Sequence, residues 1–217
     1  MVGIAIQDGF INSEYDKITQ YIPELEKKDA RFANISIRDL LSMSSGIGYT
    51  EDGFPSDADY TYISPNLKEV VLNNVKIVEE PQKHWHYNNY NPLLLGIILE
   101  RVTHKSISSY FEEKLWKKIG CGNASWSLDE NRFEKMESGI NCKAIDYVKF
   151  GLLILNNGNV NGEQILPKEW VRNSTQPEKK PDDYYDYLVK NNIYYQYFWW
   201  GKKRENDNLN DFFAMGN

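Results

Sequence analysis

The sequence predicts an α+β fold, with helices along most of the chain and β-strands gathered near its C-terminal end. A long apolar helix pattern runs through residues 92–102. Aromatic residues alternate in the manner of strands over residues 194–200 and again over 211–215. Helices that precede strands, instead of alternating with them, are typical of α+β domains.

The first segment, residues 1–6, reads as the second half of a helix. Gly9 stands in the usual position just past a helix end. The apolar run is too short for a signal peptide or a membrane span, and no basic leader precedes it. We therefore expect the chain to begin inside a helix, as a truncated domain would.

The next helix has a clear start signal, because Ser36 can cap the apolar face of residues 37–43. Residues 46–65 are too polar and too often broken by Gly and Pro for a core element. We expect a long loop there, and loops of this length are usually lids or binding loops. Ser64 is expected to cap a helix over residues 66–73.

The second half of the chain predicts four helices and two strands. Pro92 is tolerable because it falls in the first turn of its helix. The helices are expected over residues 92–102, 106–119, 143–156 and 167–175, and the strands over 194–200 and 211–215, joined by a polar turn at 202–210.

Composition limits the kinds of ligand. The 217 residues are 41% apolar, which is enough for a sizeable core, and 31 acidic residues outnumber 25 basic ones. A chain without a basic face is a poor match for nucleic acid or an anionic membrane, so neither is expected as a partner. A small neutral or mixed-charge ligand is the better prediction.

The cysteines and histidines predict no metal or cofactor. Cys121 and Cys142 match neither a zinc-ligand pair nor a disulfide framework, and are expected to be ordinary half-buried thiols. His84 and His86 would point to the same side of an extended segment. We favour two polar residues flanking a buried Trp85 over a metal pair.

Two features suggest binding or catalysis and have plain structural alternatives. Tyr87-Asn88-Asn89 lies directly before the long apolar helix, but a Tyr-x-Asn spacing is common by chance. The aromatic run over residues 194–200 can be a platform for a sugar or peptide, or a strand packed in the core.

Several stretches occur in an order that resembles a known family. They are residues 37–46, Tyr87-Asn88-Asn89 with the helix through 95–103, residues 146–153, Asn157-Gly158 and residues 164–167. Over essentially the whole chain, this ordered set resembles the serine beta-lactamase and penicillin-binding-protein-like hydrolases, particularly the esterase and nylon-oligomer-hydrolase branch. The resemblance implies a helical lobe beside an antiparallel sheet. Residues 1–217 would then form one incomplete domain that lacks much of the sheet and the first half of the core helix, with 194–217 starting the C-terminal sheet.

The resemblance also implies a mechanism, in which a serine hydroxyl attacks a small ester, amide or beta-lactam and water later releases the acyl group. By the same resemblance, Tyr87 would relay protons. It could act as a base only where nearby cations lower its pKa from about 10. Asn89 would bind and orient the substrate and the family lysine.

Departures from the family pattern leave alternatives open. No serine in the chain has a lysine three residues later, and neither His-x-Gly nor Lys-Thr-Gly occurs. We therefore expect no activity from these 217 residues alone. A non-catalytic ligand-binding relative and an inactive truncated product remain alternatives. Unpaired strands and an incomplete first helix would expose apolar surface, which predicts self-association through the sheet edge.

Overall fold

The computed structural model describes residues 1–178, 192–203 and 211–215, which form an α+β structure. The α-helices in these ranges are Val2–Gln7 (α1), Pro23–Lys28 (α2), Ile37–Leu41 (α3), Asp57–Ile63 (α4), Leu67–Asn74 (α5), Tyr90–Thr103 (α6), Ile107–Phe111 (α7), Ala144–Leu155 (α8) and Lys168–Thr175 (α9). The strands are Ser125–Trp126 (β1), Ile140–Asn141 (β2), Asn159–Val160 (β3), Glu163–Gln164 (β4), Ile193–Gln196 (β5), Trp199–Lys202 (β6) and Asp211–Phe213 (β7).

Helix α6 lies at the centre of the core. Its residues from Tyr90 to Leu99 are all buried, as expected for a helix that is apolar on every side. It packs against α1, α3, α5 and α7. The helix predicted over 92–102 is confirmed, and Pro92 lies in its first turn, where its missing N–H costs no hydrogen bond.

The predicted first strand of the tail is wrong, because residues 194–200 form two strands. β5 and β6 pair antiparallel, with Gln196 opposite Trp199, and β7 pairs with the far side of β6. The two residues between them, Tyr197 and Phe198, have φ of 46° and 68°. A two-residue hairpin turn of type I′ has positive φ at both central residues and usually carries Asn or Gly there, so an aromatic pair gave no turn signal. Residues 204–210 of the predicted polar turn lie outside the described residues.

The segment expected to be a loop over 46–65 contains a helix, α4. Ser56 caps it in a reciprocal capping box with Asp59, each side chain bonding the other residue's backbone N–H. The prediction failed because only Thr61 of this helix is buried, so the sequence shows no apolar face. The tip of the segment, residues 51–55, is exposed as expected.

Other predictions hold with small shifts. Helices α3, α8 and α9 fall within the ranges predicted for them, and Ser36 forms the capping box of α3. Asn66 caps α5 in place of Ser64. Helix α7 continues as a π-helical turn, Glu112–Trp116. Cys121 and Cys142 are free, half-buried thiols.

The exposed apolar surface on a helix lies on α8, and not on α1 as we expected. α1 is largely buried, whereas Ile145, Val148, Leu152 and Leu155 of α8 are each at least 50% exposed. Their spacing places these four side chains along one stripe of α8. In the described part of the chain, no helix is both long and apolar enough to cross a membrane.

Candidate active site

Tyr87 lies in a cluster of aromatic rings that joins the segment before α6 to the β5–β6 hairpin. Its ring centroid is 6.2 Å from that of Trp200, with planes 22° apart, and 6.4 Å from that of Tyr195. Trp85 contacts Tyr195 and Trp200, at 5.6 and 5.8 Å. We call Trp85, Tyr87, Tyr195 and Trp200 the aromatic wall.

The environment of Tyr87 disfavours loss of its proton. Burial raises the pKa of its hydroxyl, and the neighbouring Tyr62, Glu51 and Glu137 raise it further. None of the residues that the structure describes hydrogen-bonds this hydroxyl. If Tyr87 is to act as a base, a cation must offset these effects.

Asn89, the second residue of the motif, is buried, and its amide is tied to the protein. Its Nδ2 donates to the Tyr49 hydroxyl at 2.9 Å. The Thr61 hydroxyl donates its single hydrogen to the Ala58 carbonyl oxygen at 2.9 Å. The Tyr49 hydroxyl must therefore be the donor to Thr61 Oγ1, at 3.2 Å. Asn89 is thus the first member of a hydrogen-bond chain into α4, and within the described ranges no residue bonds its Oδ1.

The start of α6 also fixes the segment after α3. Asn88 donates from Nδ2 to the Ile47 carbonyl oxygen at 2.8 Å, and its Oδ1 accepts from the Tyr90 N–H at 2.8 Å. Asn91 Oδ1 accepts from the Ser45 hydroxyl at 2.8 Å. These buried amides hold the backbone around Tyr87 to the loop that enters the site.

Asp57 anchors the rim segment over residues 46–65. Its Oδ1 accepts from the Tyr90 hydroxyl at 2.7 Å, which ties the start of α4 to α6. Its Oδ2 accepts from both the N–H and the hydroxyl of Thr50, each at 2.9 Å. The rim segment therefore has a fixed base beneath its exposed tip.

The two histidines before the motif have separate partners. His84 Nδ1 lies 2.6 Å from Glu79 Oε2, whereas His86 Nε2 donates to the Tyr49 carbonyl oxygen at 3.0 Å. Trp85 between them is half-buried, not fully buried as predicted, and its Nε1 is inaccessible to water and has no hydrogen-bond partner among the described residues. The segment therefore positions Trp85 and Tyr87 together on the aromatic wall.

The sequence singled out Tyr87 and Asn89 but missed several of their neighbours. The aromatic run proves to be both core and site wall, since Tyr194 is buried in the sheet while Tyr195 and Trp200 contact Tyr87. The alternation of Trp85 with Tyr87 was a usable signal for a shared face. Nothing in the local sequence marked Glu137, which is 50 residues away from Tyr87.

Comparisons with known proteins identify the family of this chain. Residues 11–205 match the family model described as Beta-lactamase. A 6-aminohexanoate-dimer hydrolase from Paenarthrobacter ureafaciens is 23% identical over 193 residues, which are 79% of this chain and 46% of that protein. The chain thus spans about half the length of this curated relative.

Solved structures share the fold. A Bacillus anthracis protein assigned as a 6-aminohexanoate-dimer hydrolase superposes with a TM-score of 0.78 at 24% identity, over 94% of this chain and 56% of that one. A penicillin-binding protein from Bacillus halodurans gives a TM-score of 0.69 at 17% identity, over 94% and 67% of the two chains. At these identities the likeness shows the fold alone.

Proposed function

This chain belongs to the serine beta-lactamase and penicillin-binding-protein-like family, and we propose that it supplies the Tyr-x-Asn element of an acyl-enzyme hydrolase. The substrate would be a small ester, amide or beta-lactam. The observation that carries the proposal is the position of Tyr87. Tyr87 lies just before the central helix, as part of the aromatic wall, and no described residue holds its hydroxyl in a structural hydrogen bond.

The chemistry assigns distinct roles to the two motif residues. Tyr87, once ionised, accepts the proton of a serine hydroxyl as the serine oxygen forms a bond to the substrate carbonyl carbon. It returns that proton to the leaving alcohol or amine. Water then attacks the acyl-serine and releases the acid. Asn89 Oδ1 is available to accept a hydrogen bond, while its Nδ2 is held by Tyr49.

The mechanism requires partners that these 217 residues lack, because no Ser-x-x-Lys is present. The proposal therefore concerns a protein with a serine nucleophile outside this sequence, and the lysine is the cation that could lower the Tyr87 pKa. The length of the relatives supports it, since this chain covers only 46% of the Paenarthrobacter hydrolase.

The first test is to read the coding DNA on both sides for an in-frame Ser-x-x-Lys and His-x-Gly. If they are present, Tyr87→Phe in the full-length protein should lower the rate of p-nitrophenyl ester hydrolysis by about 10²–10⁴-fold. Tyr147→Phe is the matched control, because Tyr147 is 57% exposed on α8. It should retain nearly full activity.

Other outcomes point to the alternatives. Stop codons or unrelated sequence on both sides would leave a chain without a nucleophile, which favours ligand binding without turnover. Ester hydrolysis by the 217 residues alone, abolished in Tyr87→Phe, would contradict the requirement for an outside serine.

A further inference from the structure

Met43 follows helix α3 in a backbone conformation that methionine rarely adopts. Its φ is 55°, in the left-handed region, which is costly for a residue with a Cβ. The Met43 N–H donates to the Leu40 carbonyl oxygen at 3.2 Å, and the Ser44 N–H donates to that of Asp39 at 2.9 Å. These two bonds form the Schellman motif that closes a helix, in which the left-handed position usually holds glycine. Methionine at this position therefore carries backbone strain that glycine would avoid.

The backbone of Met43 holds the segment that leads to Tyr87. The His86 N–H donates to the Met43 carbonyl oxygen at 2.8 Å, and His86 directly precedes Tyr87 in the sequence. One residue after Met43, the Ser44 carbonyl oxygen accepts from the Gln82 N–H at 2.8 Å. A glycine could make both connections, because they use only backbone groups. The backbone alone thus gives no reason for a methionine.

The side chain of Met43 supplies that reason. It is 2% exposed and packs in one hydrophobic cluster with the aromatic wall, and methionine sulfur makes favourable contacts with aromatic rings. Its Sδ accepts from Asn91 Nδ2 at 3.2 Å, and Asn91 lies in the first turn of α6. Because Asn91 Oδ1 accepts from the Ser45 hydroxyl, both ends of this buried amide are paired. Met43 therefore contacts the start of α6 and the aromatic wall at once.

We propose that Met43 is a positioning residue that fixes the Tyr87 ring for proton transfer. Strained residues persist where the surrounding structure holds them, and they cluster at functional sites. The Met43 side chain supports the aromatic wall, and its carbonyl oxygen fixes the backbone one residue before Tyr87. Met43 acts through Tyr87 and not on the substrate. The inference rests on the proposed function for the proton transfer, whereas the positioning of the ring can be tested on the 217-residue chain.

The first test compares three variants of the 217-residue chain by thermal unfolding. Met43→Ala removes the side chain and keeps the strain, Met43→Gly removes both, and Met43→Leu keeps a side chain of similar volume without sulfur. We expect a higher Tm for Met43→Gly than for Met43→Ala, because glycine adopts the left-handed position without a penalty. Equal Tm values, or the reverse order, would mean that the turn is not strained and would overturn the argument for the side chain.

NMR below the Tm of each variant then follows the Tyr87 ring, with Tyr87→Phe to assign its resonances. The parent chain should show NOEs between the stacked rings of Tyr87 and Trp200. Met43→Ala and Met43→Gly should lose them, and Met43→Leu should keep them. Met136→Ala is the matched control, because Met136 is also half-buried and packs on α6, where a Cβ on Gly96 would lie 2.4 Å from its Cγ. Unchanged NOEs in Met43→Ala, or their loss in Met136→Ala, would contradict the proposal.

Kinetics on the full-length protein separate positioning from stability. Displacing Tyr87 impairs the proton-transfer step, so kcat for a p-nitrophenyl ester should fall by about 10²-fold in both Met43→Ala and Met43→Gly. KM should change less than about 2-fold, because the loss is confined to the transition state. If kcat recovers in Met43→Gly together with Tm, the role of Met43 is structural and the proposal fails. A parent protein that hydrolyses no ester but shows the expected NOE pattern would reject the proposed function and leave Met43 as the residue that places Tyr87.

Discussion

The Tyr87 ring stacks on the Trp200 indole, with centroids 6.2 Å apart and planes inclined by 22°. This contact joins the Tyr87-Asn88-Asn89 segment before α6 to strand β6, more than 100 residues later in the chain. It also covers the Tyr87 ring, and burial is the largest cause of its raised pKa. Tyr87 therefore depends on the hairpin for its electrostatic environment.

Replacing Trp200 should change that environment in a predictable direction. Trp200→Ala should admit water to Tyr87 and lower the pKa of its hydroxyl towards 10. It should also reduce the free energy of unfolding by about 2 kcal/mol, because a half-buried indole is lost. NMR titration of ¹³Cζ-labelled tyrosine, with Tyr87→Phe to assign the resonance, measures the shift. Trp200→Phe keeps an aromatic face and should change the pKa less. A higher Tyr87 pKa in Trp200→Ala would show that burial by Trp200 is not the cause.

Glu137 should make the stability of the chain depend on pH. Burial raises the pKa of Glu137 above its ordinary value of 4.5, an effect that its own backbone amide and Lys135 only partly offset. As pH rises through 4.5 the unfolded chain releases this proton first, so the contribution of Glu137 to stability falls until the folded-state pKa is passed. Below pH 4 both states hold the proton and the contribution is constant.

Glu137→Gln should therefore be more stable than the parent chain at pH 7, with a difference that shrinks as pH falls below about 5. Urea unfolding at pH 4, 5, 6 and 7 measures it. Glu130→Gln, on an exposed side chain, should show no such trend. A Glu137→Gln variant that is less stable at pH 7 would indicate that the carboxylate is paired in solution.

The hydrogen bonds from Asn89 to Tyr49 and from Tyr49 to Thr61 should be energetically coupled. Tyr49→Phe leaves the buried Asn89 amide without its acceptor, at a cost of about 1–3 kcal/mol. Thr61→Val leaves the Tyr49 hydroxyl without its acceptor and should cost a similar amount. The double variant should be less destabilised than the sum, because both changes break one chain. Chemical denaturation of the four proteins measures the coupling, with Tyr60→Phe on the exposed side of α4 as control. Strict additivity would mean that the chain does not act as a unit.

We propose that the isolated chain self-associates, and two exposed surfaces are candidates. The sheet edge at β7 carries Phe213, which is 38% exposed, whereas Leu152 and Leu155 on α8 are 50% and 65% exposed. Large exposed apolar patches favour association. Sedimentation velocity should show a smaller oligomeric fraction for Leu152→Glu with Leu155→Glu than for Phe213→Glu. The reverse order would place the contact at the sheet edge, and a monomeric parent chain would reject self-association.

The parts of the fold that the sequence predicted well are those with strong local patterns. α6 was predictable because apolar residues fill every side of it and Pro92 marks its first turn. α4 was missed because its buried surface is nearly confined to Thr61, so no helical period exists to read. The turn at Tyr197 and Phe198 was missed because tertiary contacts stabilise it: Tyr197 packs on Trp170, and the Phe198 N–H donates to the Leu41 carbonyl oxygen at 3.2 Å.

The residues of the candidate site also fall into two groups, those that the sequence identified and those that it did not. Tyr87 and Asn89 were identified because an ordered family pattern surrounds a short motif. The sequence could not assign Tyr195, Trp200 and Glu137 to the surroundings of Tyr87, because only long-range packing brings their segments near it. A carboxylate that is buried without a hydrogen-bond partner among the described residues, such as that of Glu137, cannot be recognised in a sequence, because burial and pairing are properties of the folded chain.

Because Asp57 anchors the rim segment through both of its carboxylate oxygens, the tip of that segment can change independently of the residues around Tyr87. One oxygen secures the rim segment to α6 and the other closes it on Thr50, so the exposed residues 51–55 can vary in length and side chain without displacing Tyr87. Loop closure makes such variation inexpensive, because each doubling of loop length costs only about 0.6 kcal/mol. A library randomised over these five positions should therefore yield folded proteins that differ in which molecules they admit, which makes this rim a natural starting point for directed evolution.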